Sequence, residues 1–162
     1  MWLTGHKRWV RAVTYSPDGK RVVSGSCDGD IIVWDVEKDA LIRHLEGHTS
    51  YISSVVISSN GEWIASGSGD ATIRIWEMET GKLLTCLEES SDVGSIAFSP
   101  NGKNIVSGGG HLHILDIESK RILQCLKGHA GFIYAVIVSP NGKFLLSGAR
   151  DKTVKIWEME TG

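Results

Sequence analysis

The stretch SGSGDATIRIWE (66–77) carries a serine, an aspartate four residues on, and a tryptophan that closes a short apolar run. The same order returns in SGSCDGDIIVWD (24–35) and in SGARDKTVKIWE (147–158). In every copy the serine stands ten residues before the tryptophan and the aspartate six before it. The key positions Trp34, Trp76, Leu115 and Trp157 are 42, 39 and 42 residues apart, with leucine in place of tryptophan in the third copy. Self-similarity at a fixed period of this size is the mark of a repeat architecture.

Working outward, each copy is preceded by a turn: SPDG (16–19), SSNG (58–61), SPNG (99–102) and SPNG (139–142), starting 42, 41 and 40 residues apart. Before each turn lies a short run rich in β-branched and aromatic residues: VRAVTYS, ISSVVIS, VGSIAFS and IYAVIVS. After it come RVVSGS, EWIASGS, KNIVSGG and KFLLSGA, then the strands ending IIVWD, IRIWE, LHILD and VKIWE. ALIRHLE, KLLTCLE and RILQCLK follow the first three. These compositions and lengths are those of strands bounded by turns, and none keeps a helical period over ten residues. Each unit is therefore expected to be a four-stranded antiparallel meander. Such a sheet has two apolar faces and buries them by stacking on its neighbours.

Composition narrows the function classes. The chain has 162 residues, 41% of them hydrophobic and 22% charged, as in a globular domain. A formal net charge of −2 gives no electrostatic footprint for nucleic acid or an anionic membrane. No apolar run approaches the ~20 residues of a membrane span, and the start MWLTGHKRWV has no signal-like apolar core. The three cysteines are odd in number, and Cys86 and Cys125 occupy matching contexts, LTCLE and LQCLK. Free thiols and a cytoplasmic location are expected.

Gly-His pairs at 5–6, 47–48 and 128–129 complete the pattern. With the S-P-D/N-G turns, the S-G-x-x-D stretches and the W-D or W-E strand ends, the chain resembles the WD40 repeat family over essentially its whole length. The resemblance implies an all-β fold, a β-propeller of four-stranded antiparallel blades. Blade one would span about 5–46, blade two 47–88, blade three 89–127 and blade four 128–162, as one propeller unit. It also implies a buried hydrogen-bonded tetrad in each blade: Asp28, His6, Ser24 and Trp34; Asp70, His48, Ser66 and Trp76; Asp151, His129, Ser147 and Trp157. Blade three departs, with EESSDVGS (88–95) in place of Gly-His and SGGGHLHILD (107–116) two residues short. Its His, Asp and Trp read as lost, and it is expected to be the least rigid blade. His111 and His113, spaced as if on one face of a strand, are two ligands short of a metal site and read as partly exposed polar residues.

Serine, histidine and aspartate together suggest a hydrolase triad, but the set occurs three times and an enzyme needs one nucleophile in one cleft. The structural role is the expectation. With those residues set aside, His44, His111, His113 and scattered acids remain, and SGGGH lacks the lysine and helix of a phosphate loop. No catalytic residue, cofactor or metal is expected. By resemblance, partner-facing rim positions fall on Trp9, Arg11 and Cys27; Tyr51, Ser53 and Gly69; and Phe132, Tyr134 and Arg150, with Asp92 and Gly94 nearest in blade three. Aromatic residues and arginine are the residue types of interface hot spots. The reading is a non-enzymatic scaffold docking a protein or peptide. The alternatives are a propeller enzyme of hydrolase or lactonase type, and a targeting module excised from a larger protein.

Four blades are few for a family whose rings usually have about seven. Two chains would make one eight-bladed ring, so a homodimer is expected, ahead of a four-bladed monomer and of an excerpt of a longer propeller. The stretch IWEMETG (75–81) continues into KLLTCLEE, but its second copy (156–162) has no such continuation. Residues 1–4, MWLT, align with the ends of the outer strands, Leu3 matching Leu45 and Leu126. They are expected to cover the open edge of blade four, in a dimer that of the partner's blade four.

Overall fold

A computed structural model describes residues 2–162. Fifteen strands form four separate antiparallel sheets in chain order. The first holds β1 (Val10–Tyr15), β2 (Arg21–Ser26), β3 (Ile31–Asp35) and β4 (Ala40–Leu45). The second holds β5 (Ile52–Ile57), β6 (Trp63–Ser68), β7 (Thr72–Glu77) and β8 (Leu83–Glu88). The third holds β9 (Val93–Phe98), β10 (Asn104–Gly109), β11 (Leu112–Asp116) and β12 (Arg121–Leu126). The fourth has three strands, β13 (Ile133–Val138), β14 (Phe144–Ala149) and β15 (Val154–Glu158). Each sheet is a meander, and the four stack as successive blades.

Local chemistry sets the turns. In SPDG the Ser16 hydroxyl donates to Asp18 Oδ1, the Arg21 N–H donates to Ser16 Oγ at 2.9 Å, and the Gly19 N–H donates to the Ser16 carbonyl at 2.8 Å. Gly19 sits at φ +71°, a conformation that glycine adopts without steric cost. Ser58, Ser99 and Ser139 repeat the arrangement with asparagine in place of aspartate.

Three apolar cores lie between successive blades. Val23, Ile31 and Val33 of blade one meet Ile52 and Val55 of blade two; Ile73 and Ile75 meet Val93 and Ile96; Val106, Leu112 and Ile114 meet Ile133 and Val136. A glycine on each second strand makes the approach possible. A Cβ on Gly25 would stand 2.4 Å from Ile52 Cγ2, one on Gly67 2.6 Å from Val93 Cγ1, and one on Gly108 2.6 Å from Ile133 Cγ2. The side chains of the next blade fill the space that a missing Cβ leaves. This knob-and-socket contact recurs at all three junctions.

The two end blades keep one face each without a neighbour. Val10 and Val13, in the register of Ile52 and Val55, are 50% and 67% exposed. Val154 pairs with Gly148 as Ile73 pairs with Gly67, yet Val154 and Ile156 are 72% and 70% exposed where Ile73 and Ile75 are at most 1%. The side of β1 that carries Val10 and Val13 has no partner within the chain. The described part of the N-terminal segment, residues 2–4, forms no strand, so within one chain it does not cover β15; Met1 lies outside the described residues.

Candidate functional site

The repeated polar residues come together in three blades. In blade two the Trp76 indole N–H donates to Ser66 Oγ at 3.0 Å, Ser66 Oγ lies 2.8 Å from His48 Nε2, and His48 Nδ1 lies 2.8 Å from Asp70 Oδ2. A carboxylate only accepts, so Nδ1 carries the proton, Nε2 accepts, and the serine hydroxyl donates to it. Blade four repeats this, with Trp157 to Ser147 at 2.8 Å, Ser147 to His129 at 2.7 Å and His129 to Asp151 at 2.8 Å. Blade one has Trp34 to Ser24 at 2.8 Å, Ser24 to His6 at 2.7 Å and a longer His6–Asp28 contact of 3.3 Å. Each aspartate also caps the chain: Asp28 Oδ2 accepts the Lys7 N–H at 2.7 Å, Asp70 Oδ2 the Thr49 N–H at 3.0 Å, and Asp151 Oδ2 the Ala130 N–H at 2.9 Å.

The order of atoms matches a hydrolytic triad, but the environment does not. Ser24, Ser66 and Ser147 are all buried, and each hydroxyl oxygen already accepts an indole N–H. No acyl carbon reaches such an oxygen. Burial lowers the His48 pKa against the pull of Asp70, which keeps the ring neutral at pH 7. Burial opposes ionisation of Asp70, yet the Thr72 hydroxyl, the Thr49 N–H and His48 together hold it at about 2. Asp151 is likewise lowered, first by the Thr153 hydroxyl.

Blade three has lost the motif's His, Asp and Trp, as its sequence reads, but a different polar set stands in their place. Glu89 stands 18 residues before Ser107, as His48 stands 18 before Ser66, so a carboxylate takes the histidine's place. The Ser107 hydroxyl donates to Glu89 Oε1, and His113 Nδ1 lies 2.7 Å from Glu89 Oε2. His113 comes from across the sheet, paired with Ser107 as Arg74 is with Ser66. The order is thus Ser–Glu–His, with serine and histidine on the same carboxylate. Leu115 fills the tryptophan's place and is fully buried. His111 lies exposed in the turn before β11 and His113 is buried within it, their ring centroids 5.8 Å apart, so they are not two partly exposed residues of one strand. The 18-residue spacing from Glu89 to Ser107 was the signal that sequence reasoning passed over.

Among the described residues, one cluster has potential metal ligands close together: Asp30, His44 and Glu46. His44 Nε2 lies 2.9 Å from Asp30, while its other nitrogen faces Glu46 at 3.6 Å. The two carboxylates thus use opposite sides of the ring, and the set reads as surface ion pairing.

The rim positions are built by two backbone devices. First, the residue preceding each tetrad aspartate is tied to the entering loop: the Cys27 N–H donates to the Trp9 carbonyl at 2.8 Å, Gly69 to Tyr51 at 3.0 Å, and Arg150 to Phe132 at 2.8 Å. Second, the first strand of every blade shifts register by one residue, at Arg11, Ser53, Gly94 and Tyr134. A bulge of this kind re-aims one side chain. The Arg11 guanidinium carbon lies 4.6 Å from the Tyr51 ring centroid, and the Tyr51 hydroxyl donates to Asp92 at 3.1 Å. The Phe132 and Tyr134 rings pack at a tilt of 55° with centroids 5.1 Å apart. The Ser53 hydroxyl instead donates to the Val93 carbonyl, with the Gly67 carbonyl 3.0 Å from the same oxygen, and so joins blades two and three. Trp9 is 83% exposed. Beside it opens a cleft of about 560 Å³ lined by Lys7, Arg8, Cys27, Asp28, Thr49, Ser50 and Tyr51. Lys7, Arg8, Arg11 and Arg150 form no ion pair among the described residues.

Known proteins share this repeat. The family described as WD domain, G-beta repeat matches residues 2–35, 39–77, 81–114 and 120–158. The small ribosomal subunit protein RACK1y of Oryza sativa subsp. japonica is 42% identical over 99% of this chain and 51% of its own length. The small ribosomal subunit protein RACK1 of Caenorhabditis elegans is 42% identical, again over 99% of this chain and 51% of its own. Periodic tryptophan protein 2 of Saccharomyces cerevisiae is 42% identical over 96% of this chain and 17% of its own. The chain therefore spans about half the length of the RACK1 relatives and less of the yeast protein. With four repeats matched and four blade-like sheets in chain order, the chain belongs to the WD40 family.

Proposed function

We propose that the protein is a non-enzymatic interaction scaffold that docks a protein or peptide segment on the rim formed by Trp9, Arg11, Tyr51, Phe132, Tyr134 and Arg150. The observation that carries the reading is the rim itself: an exposed tryptophan and an arginine over a tyrosine ring, beside the cations Lys7 and Arg8. A preset guanidinium and aromatic surfaces favour a segment carrying carboxylates next to an aromatic or apolar residue. The family supports an interaction role in general. The two RACK1 relatives are named as ribosomal subunit proteins, which agrees with a partner-bound life in the cytoplasm, as do three free thiols. The chain acts as half of an eight-bladed ring, completed by a second copy.

A peptide array probed with the whole chain tests the docking reading. Acidic-aromatic peptides should be retained, and Trp9→Ala and Arg11→Glu should each weaken retention ~10-fold or more. Retention unchanged by both substitutions would place docking elsewhere. Retention lost by Trp9→Ala but indifferent to peptide charge would keep the rim and discard the acidic preference.

A further inference from the structure

We propose that the cleft between blades two and three, on the face opposite the rim, receives an arginine side chain of a partner protein, laid on the Trp63 indole with its guanidinium paired to Glu118. This second surface does not depend on the rim.

The junction between blades one and two shows what the position takes. There Arg21, at the start of β2, lies 2.6 Å from Glu79 in the turn between β7 and β8. Met78, beside Glu79 in that turn, is buried. Trp63 of blade two stands where Arg21 does in blade one, each opening a second strand, opposite Glu77 and Asp35 respectively. Glu118 of blade three stands where Glu79 does in blade two. The Met78 N–H donates to the Glu62 carbonyl at 2.8 Å and the Ile117 N–H to the Lys103 carbonyl at 3.0 Å, so the residues after them correspond. The junction between blades two and three thus keeps the carboxylate and lacks the internal arginine.

Two further substitutions leave that junction open. Arg43, Thr85 and Gln124 each stand two residues before the leucine that ends an outer strand's pairing, Leu45, Leu87 and Leu126. Arg43 and Gln124 are long and reach the next blade's turn: Arg43 Cδ lies 3.2 Å from a Cβ built on Gly81, and Gln124 Nε2 donates to the Glu160 carbonyl at 3.1 Å. Thr85 is short, and its buried hydroxyl has no hydrogen-bond partner. A Cβ on Gly81 or Gly162 would also stand 2.8 or 2.9 Å from the preceding blade's leucine. Blade three has Lys120 at that place, in the same left-handed conformation, and its side chain keeps the turn from seating as closely. What remains is a cleft of about 500 Å³ whose walls include Trp63, Lys103, Asp116, Ile117 and Glu118.

The walls select a cation. Trp63 is partly exposed and packs against the core between blades two and three, which fixes its ring. An indole is the best aromatic surface for a cation, and a planar guanidinium can lie on it while its N–H groups reach a carboxylate. The Asp116 carboxylate already accepts the Ser119 N–H at 2.7 Å. Glu118 is exposed and forms no ion pair among the described residues, with Lys103 or any other cation, so it is the open acceptor. A partner's arginine would restore across an interface the pair that Arg21 makes with Glu79 within the chain.

The test follows the isotope-labelled full chain by NMR during titration with the capped tripeptide Ala-Arg-Ala and its lysine and citrulline analogues. The arginine peptide should shift the Trp63 indole N–H and the Ile117 and Glu118 amide signals saturably. Citrulline, which keeps the shape without the charge, should leave them in place, and lysine should bind ~10-fold more weakly. Glu118→Gln, at an exposed side chain, should weaken the arginine peptide ~10-fold or more. Trp63→Arg, which copies the first junction, should abolish its binding without lowering the melting temperature. Should that variant misfold, Glu118→Gln alone decides. Shifts confined to rim residues, equal shifts from citrulline, or binding untouched by Glu118→Gln would overturn the proposal. Equal affinity for the lysine peptide would overturn the assignment of a guanidinium.

Discussion

His113 Nδ1 lies 2.7 Å from Glu89 Oε2 inside blade three, where the sibling blades place a histidine against an aspartate. Both side chains are only 7% exposed. The blade keeps a buried acid–base pair after losing every residue of the repeated motif except serine. The carboxylate now enters from the preceding loop and the ring from the third strand, so the blade keeps its tie between entry loop and sheet.

That pairing makes Glu89 the residue on which blade three depends. Glu89→Ala leaves the His113 ring and the Ser107 hydroxyl buried without their acceptor, and should cost about 3 kcal/mol of stability. Glu89→Gln, which keeps an acceptor oxygen, should cost less. Urea denaturation read by tryptophan fluorescence measures both, and an alanine variant as stable as the unaltered chain would show the pair to be idle.

Acid should destabilise the protein in two stages. The His48 pKa is lowered in the folded state by burial, so stability is full above the unfolded value of about 6.5 and falls as pH drops toward the folded value. Asp70, held at about 2 against an ordinary 3.8, adds stability that is present above 3.8 and is lost as pH falls toward 2. Its share is about 2 kcal/mol. Urea midpoints measured from pH 7.5 to 2 should therefore fall through both windows, and Asp70→Asn should flatten the lower one.

The glycine sockets predict an asymmetry. Gly67→Ala drives a Cβ to 2.6 Å from Val93 Cγ1 and should destabilise by about 1–3 kcal/mol. Gly148→Ala meets nothing within the chain and should change the stability of the isolated chain by less than about 0.5 kcal/mol. Thermal melts of both variants at low protein concentration decide this.

Ser66→Ala and Ser147→Ala should also differ. Each removes the oxygen shared by an indole and an imidazole, but Trp76 is buried while Trp157 lies on the uncovered end blade. Ser66→Ala should cost about 2 kcal/mol and Ser147→Ala less, because water replaces the lost partner where the blade is open. Equal losses by calorimetry would contradict the account of the end blade.

Most of the fold is legible in the sequence because a repeat states each strand three or four times. The spacings around Trp34, Trp76 and Trp157 place serine, aspartate and tryptophan where a sheet register brings them together. The rim was reached through the resemblance, since Trp9 and Tyr51 alternate with apolar residues. What escaped the reading depends on geometry between strands. Glu89 and His113 are 24 residues apart and meet because the strand register seats His113 opposite Ser107 across a turn two residues shorter than its siblings. Ser53 looked like a rim residue, but its hydroxyl turns toward the next blade's backbone, a direction set by the bulge at that position. Gly25, Gly67 and Gly108 lie in segments that read as strands, and their role as packing sockets shows only once the next blade is in place.

The claim that binds the account is that one chain is half a ring. Light scattering coupled to size exclusion on the unaltered chain, at micromolar concentration, tests it most directly. The account predicts a mass of twice 17.7 kDa, and a mass of 17.7 kDa would contradict it.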